Sequence, residues 1–347
     1  MRKIILPGLV ALVLILTACQ AGNTARTAGE SLAATPADSL LGEAASLPTG
    51  VSALESRVYE ITEHFLITNQ GPGSPSKHNL WVALIQDLPP YQYVLERSVS
   101  AQDFRTFEDE YGNLIAEFDL SGLPPGESAR VEIHYKVKVN QLKYDLAQCE
   151  GNLPSSYTSS ELYIESNNPQ IRSLAARLAQ GKSTPCEQAR AFYDYIGDNL
   201  VYTYNGRDWG AQAALGEMGA DCSEYASLMA ALSRAAGIPA RYLEGVLFLE
   251  PETAALARRE HAWLEIYLPN IGWTPIDPTL GRSLGMREKY FAANNLDHIV
   301  VTRGRNPSAL RGGSYYTHIY WPGPSAVIKI EDFGWNIAPD QETEPIP

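Results

Sequence analysis

Cys222, His261 and Asp277 are the side chains in this 347-residue sequence whose types, order and surroundings could carry covalent chemistry. Cys222 follows an irregular approach bearing Gly216 and Gly219 and precedes a run, Ser223 to Ala236, that reads as an amphipathic helix. Asp221 can cap that helix, and Glu224 three residues on completes a capping box. Ala226, Met229, Ala230 and Ser233 mark one stripe with Leu228 and Leu232 beside it, and Gly237 and Pro239 stop the helix. The sulfur therefore sits at the first turn, where unpaired backbone N–H groups and the positive end of the dipole favour thiolate over thiol. A cysteine so placed, followed by a histidine and then an aspartate, has the order of a thiol acyl-transfer site. The thiolate attacks an amide carbonyl, the imidazolium passes its proton to the departing amine, and the carboxylate holds the ring in its working tautomer. A buried structural cysteine is the commoner fate of a lone Cys, and the downstream histidine and aspartate weigh against it here.

The elements that must position these groups follow from periodicity. Strands are expected at Arg241 to Glu250, His261 to Leu268 and Trp273 to Ile276, with a turn at Pro269-Asn270-Ile271-Gly272. An antiparallel meander of these three sets the start of its second strand beside the end of its third, so His261 and Asp277 meet. A helix bearing Cys222, packed on that sheet, brings in the sulfur. Upstream, Asn168-Pro169 opens one helix, and Thr184-Pro185-Cys186-Glu187 supplies cap, N1 proline and N3 glutamate for a second. Residues 51–146 alternate apolar and polar side chains in six or so short runs, as in Arg57 to Ile67 and Ala129 to Val139, which suggests a β-sandwich. A Gly-, Pro- and Ser-rich stretch near 146–160 links the two parts.

Met1-Arg2-Lys3 and the apolar run Ile4 to Leu16 form a secretory leader, too short and wrongly flanked to span a membrane. Leu16-Thr17-Ala18-Cys19 resembles a bacterial lipobox, which implies cleavage before Cys19, acylation of that residue and a membrane attachment made by lipid. Residues 19–50, rich in Ala, Ser, Thr and Gly, read as a disordered tether. Two of the 27 basic residues lie in the leader, leaving 25 against 40 acidic ones. An acidic chain without basic runs argues against a nucleic-acid partner. No CxxC, HExxH or paired His/Cys spacing supports a metal site or other cofactor. With Cys19 assigned to lipid and Cys222 to chemistry, Cys149 and Cys186 remain. An oxidising compartment invites a disulfide between them, provided their Cα atoms come within bonding range.

The segments Gly219-Ala220-Asp221-Cys222-Ser223-Glu224-Tyr225-Ala226, Arg234 to Arg241, His261-Ala262-Trp263-Leu264-Glu265 and Gly272 to Thr279 together resemble the transglutaminase-like superfamily, over about residues 160–300. The resemblance implies an α+β fold with a papain-like core preceded by the sandwich of 51–146. It assigns Cys222 as nucleophile, His261 as general acid/base and Asp277 as orienting carboxylate. Asp297-His298-Ile299 and Arg303-Gly304-Arg305-Asn306 resemble the tail of bacterial members, with Asn306 where an Asp is expected. Residues 301–347 then form a C-terminal tail with a β extension. One oxyanion donor is the Cys222 backbone N–H, and Trp209 or Tyr204 could bring a second. The expected protein is a lipid-anchored, extracytoplasmic thiol enzyme acting on a protein or peptide, most simply by hydrolysing the thioester. Two alternatives stay open: crosslinking by acyl transfer to an amine, and a catalytically silent envelope scaffold. His298 and His318 receive no role, and nothing in the sequence sets the oligomeric state.

Overall fold

The first strand, β1 (Val51–Asn69), runs the length of one sheet and pairs with β6 (Ser128–Tyr144) on one side. The structure, a computed structural model, describes residues 47–340 apart from 101–102, 205, 207–208, 217–218, 251–258 and 324. The leader, Cys19 and all of the tether before residue 47 lie outside the described residues. On β1 the odd-numbered side chains Tyr59, Ile61, Phe65 and Ile67 are buried, the two-residue period of a strand with one face inward. Glu63 falls on the same inward phase and is fully buried, so desolvation pushes its carboxyl well above the usual range.

A second sheet has the order β12-β2-β5-β4. Its strands are β2 (Lys77–Ala83), β4 (Phe104–Glu108), β5 (Leu114–Asp119) and β12 (Tyr316–Trp321). The first sheet is completed by β3 (Gln92–Val99), β10 (Ala293–Asn294) and β13 (Ile328–Pro339). The two share one apolar core, with Leu80, Val82 and Phe118 facing Phe65, Val131 and Ile133. Both sheets take a strand from the C-terminal region. β13 runs beside β1 with Phe65 opposite Phe333, and β12 pairs with β2.

The third sheet, in the order β11-β7-β8-β9, carries the meander expected from the sequence. It consists of β7 (Ala240–Leu247), β8 (Glu260–Leu268), β9 (Gly272–Ile276) and β11 (His298–Arg303). Along β11, Ile299 and Val301 join the sandwich core while Val300 joins a second core on the opposite face. That second core is built on helices α1 (Pro169–Leu178), α2 (Pro185–Asn199), α3 (Gly210–Ala214) and α4 (Cys222–Ala235). The expected cap of α2 is present: Thr184 Oγ1 accepts from Glu187 N, and Glu187 Oε2 accepts from Thr184 N.

Helix α4 departs from its expected amphipathic form, because every residue from Ser223 to Arg234 is buried. The other helices cover the face that periodicity would leave to solvent. Arg234 is tolerated there because its guanidinium donates to the carbonyls of Ala240 and Ser159 and pairs with Glu161. Cys149 and Cys186 are disulfide-bonded, with Cα atoms 6.0 Å apart, tying the linker after β6 to the first turn of α2. Asn306 adopts a left-handed conformation, which Asn and Asp both tolerate, and its amide donates to Leu162 O. Among the described residues no helix is long and apolar enough to cross a membrane.

Candidate active site

Local chain geometry fixes Cys222 first. Tyr202 bridges Ala220 in parallel, and Thr203 N donates to Ala220 O at 2.8 Å, so an extended segment holds the approach to α4. Gly219 makes that approach possible. Its φ of 79° is in the left-handed region, and a Cβ there would fall 2.6 Å from Thr203 Cβ. Asp221 Oδ1 then accepts from Ser223 N and Ser223 Oγ, while Glu224 Oε2 accepts from Asp221 N, completing the capping box. Cys222 is the first helical residue and is half-buried. Its own N–H has no carbonyl within the helix to meet, which leaves it at the end that favours negative charge.

His261 enters from the start of β8 and Asp277 from just beyond β9, the adjacency expected of the meander. His261 Nε2 donates to Asp277 Oδ2 at 2.8 Å. Cys222 and His261 line the same cleft, the sulfur acts on the imidazole, and with Nε2 committed to the acid the ring nitrogen left for it is Nδ1. The three side chains thus form one row from the cleft inward. Burial alone would pull the His261 ring down. The charge and hydrogen bond of Asp277, helped by the Cys222 sulfur, override it and raise the ring to about 10. For Asp277 burial again opposes ionisation, and the two histidines beside it hold the carboxyl well below its usual range. Its other oxygen accepts from Thr279 N and Leu280 N, both at 2.9 Å, at the start of the short turn Leu280–Arg282. Four donors therefore converge on one fully buried carboxylate.

The row opens on a cleft of about 210 Å³ lined by Cys222, His261, Asp221, Glu244, Glu260, Tyr204, Ser314 and Tyr315, among others. Trp209 is not among its lining residues, and its backbone N–H donates to Glu224 Oε1 at 3.0 Å, away from the sulfur. That main-chain donor joins α3 to the buried acid of α4. Tyr204 does line the cleft and is mostly exposed. Trp263 is buried with its ring stacked on His261, 5.9 Å between centroids, and seals the His261–Asp277 contact from water. Trp273 lies elsewhere, beneath the Arg241 guanidinium.

Several groups at the site had no sequence signal. Tyr315, whose hydroxyl donates to Gly245 O, reaches the cleft from just before β12. His298 stands at the start of β11 and donates from Nε2 to Asp277 Oδ2 at 3.0 Å. Nitrogen and oxygen atoms of His261, Asp277 and His298 all lie within 4.8 Å of one another. Both Nε2 atoms meet one carboxylate oxygen, Asp277 Oδ2. The signal for His298 is the adjacent acid in Asp297-His298, which no spacing rule ties to a site 21 residues upstream.

A helix carrying a thiol at its N-terminus, laid on an antiparallel meander that supplies imidazole and carboxylate, defines a papain-like thiol core. Residues 172–278 match the model of the transglutaminase-like superfamily, and this core has that superfamily's fold. The uncharacterized protein YebA of Bacillus subtilis is 30% identical over 146 residues, which cover 36% of this chain and 20% of that protein. A protein-glutamine gamma-glutamyltransferase of Pseudomonas aeruginosa is 33% identical over 122 residues, 32% of this chain and 18% of that protein. The matched stretch is thus about a fifth of the length of these relatives. A crystal structure described as that of a candidate cysteine protease from Cytophaga hutchinsonii superposes with a TM-score of 0.62 at 15% identity. It covers 86% of this chain and 95% of that one, a likeness of fold across both the sandwich and the core.

Proposed function

We propose that this protein is a thiol enzyme that takes an acyl group from an amide onto Cys222. The observation that carries the reading is the row Cys222–His261–Asp277: sulfur and imidazole line one cleft, and the imidazole is hydrogen-bonded to the buried acid behind it. The Cys222 thiolate attacks the amide carbon, and the developing oxyanion lies beside the Cys222 N–H at the start of α4. His261 gives its proton to the departing amine as the C–N bond breaks, leaving a thioester and a neutral ring. That ring then takes a proton from the incoming water, whose oxygen displaces the sulfur and releases the acid. Asp277 keeps the ring oriented throughout.

Hydrolysis is the simplest second half, since water is abundant at an open cleft. Transfer to an amine is the second reading, and two observations favour it. Asp221, Glu244 and Glu260 line the cleft with the reacting groups, where they would attract a protonated amine. One relative is a protein-glutamine gamma-glutamyltransferase. Incubation with glutamine-bearing peptides, with and without a labelled primary amine, separates the readings by product mass. Deamidated or cleaved peptide that persists in the presence of amine supports hydrolysis. Amine adducts in excess would reverse the order, and no change dependent on Cys222 would remove both.

The leader and the Leu16-Thr17-Ala18-Cys19 sequence support a place outside the cytoplasm, held to a membrane by lipid on Cys19. The Cys149–Cys186 bond fits an oxidising compartment. Metabolic labelling with a fatty acid, lost on Cys19→Ser, tests the anchor.

A further inference from the structure

His298 is fully enclosed between two acids. Its Nε2 is 3.0 Å from Asp277 Oδ2, and its Nδ1 is 2.8 Å from Asp297 Oδ1. A neutral imidazole has one N–H and can serve one of these carboxylates. Only the cation has a donor for each. Asp297 is itself fixed, accepting from the Tyr290 hydroxyl through Oδ2, while its main-chain carbonyl accepts from Phe248 N. The His298 and Trp263 rings stand nearly perpendicular with centroids 4.8 Å apart, so the same tryptophan packs against both histidines. The groups facing His298 are accordingly Asp277 beyond β9, Asp297 beside it, His261 from β8 at 6.0 Å between rings, and Tyr290 from the helical turn Arg287–Tyr290. Lys289 acts on Asp297 from that same turn.

We propose that His298 is a positioning residue: a permanent imidazolium wedged between Asp277 and Asp297 that aligns Asp277 with His261 and limits how strongly that carboxylate holds the His261 proton. The need for such a part follows from the chemistry. A buried carboxylate paired with one imidazole binds the proton so firmly that the ring becomes a poor acid toward a leaving amine, whereas transfer is fastest when donor strength is matched to the working pH. A second cation on the same oxygen draws off part of that field. Burial works against the charge on His298, and its two flanking acids override it, raising the ring above its ordinary value.

The inference rests on the thiol reading of the site, and its test requires no turnover, so either can fail without the other. In the chain labelled with 15N- and 13C-histidine, each ring is followed from pH 5 to 11. At pH 7 the wild-type His298 ring should show both nitrogens protonated. His298→Gln keeps a donor for Asp277 and removes the charge. At this separation and an effective dielectric near 20, it should move the His261 midpoint upward by about one to two pH units, so that at pH 11 half or more of that ring keeps the proton the wild type has largely lost. A purely structural histidine would lower stability and leave that midpoint in place. A His298 ring with a single N–H at pH 7, or an unmoved His261 midpoint in folded His298→Gln, overturns the proposal. If the variant does not fold, the wild-type nitrogen shifts decide the matter alone.

Discussion

Asp277 Oδ2 accepts the Nε2 hydrogen of His261 at 2.8 Å, with both side chains buried, and this contact sets the orientation of the ring toward Cys222. Replacing the acid by an amide keeps the size but permits the wrong tautomer, with Nδ1 protonated and aimed at the sulfur. Asp277→Asn is therefore expected to lower kcat on any turned-over amide by about 10⁴-fold, the scale of such a tautomer change in an acyl-transfer triad. KM should move little, because Asp277 does not line the cleft.

The same pair makes stability depend on pH in both directions. His261 has its folded value raised from 6.5 to about 10. Its contribution is therefore complete below about 6.5 and is lost as pH rises toward 10. Asp277 is depressed from 3.8, so its contribution is present above that value and is lost as pH falls below it. Urea midpoints should thus be highest between about pH 5 and 7 and should decline on either side. In His261→Gln the alkaline decline should flatten, which equilibrium unfolding at pH 6, 8 and 9.5 would reveal.

Gly219 is the residue whose replacement should damage the site most without touching it. Alanine there faces a left-handed φ and a contact of 2.6 Å with Thr203. Strain of this kind costs about 1–3 kcal/mol, and part of it is relieved by pulling residues 219–221 away from Thr203, which displaces Cys222. Gly219→Ala should lose activity well beyond its loss of thermal stability. Ala220→Gly, one residue on, provides the comparison.

Glu224 is buried and accepts the backbone hydrogens of Asp221 and Trp209. Glu224→Ala removes a cap and leaves two amides without their acceptor, for an expected loss of about 2–3 kcal/mol. Denaturant titration measures it, and a loss under 0.5 kcal/mol would mean that water replaces the carboxylate.

What could be foreseen in the chain is what its local code specifies. The caps at Thr184/Glu187 and Asp221/Glu224 join residues three apart, and the meander that unites His261 with Asp277 spans one hairpin, so both were legible. The backbone N–H of Trp209 is turned toward Glu224, a contact between positions 15 apart that no cap or period encodes. His298 and Tyr315 were missed at longer range. They reach the site through pairings such as β11 with β7 and β12 with β2, whose partners lie about 50 and 240 residues apart. No periodicity encodes which distant strand a given run will join. The all-round burial of α4 was hidden likewise, since its outer face is covered by helices that a hydrophobic stripe cannot name.

Loss of the Cys149–Cys186 bond should be felt as stability alone. It closes a loop across a separation of 37 residues, for which chain entropy gives about 3–4 kcal/mol. The double substitution Cys149→Ser, Cys186→Ser should unfold at correspondingly lower urea while Cys222 stays reactive in the folded fraction.

The most direct measurement of the account is the rate at which iodoacetamide alkylates Cys222, followed by peptide mass from pH 5 to 9 in the wild type and in His261→Ala. A sulfur activated by the His261 imidazole should react at pH 6 at least tenfold faster than that of the variant. Equal rates in the two proteins across the range would contradict it.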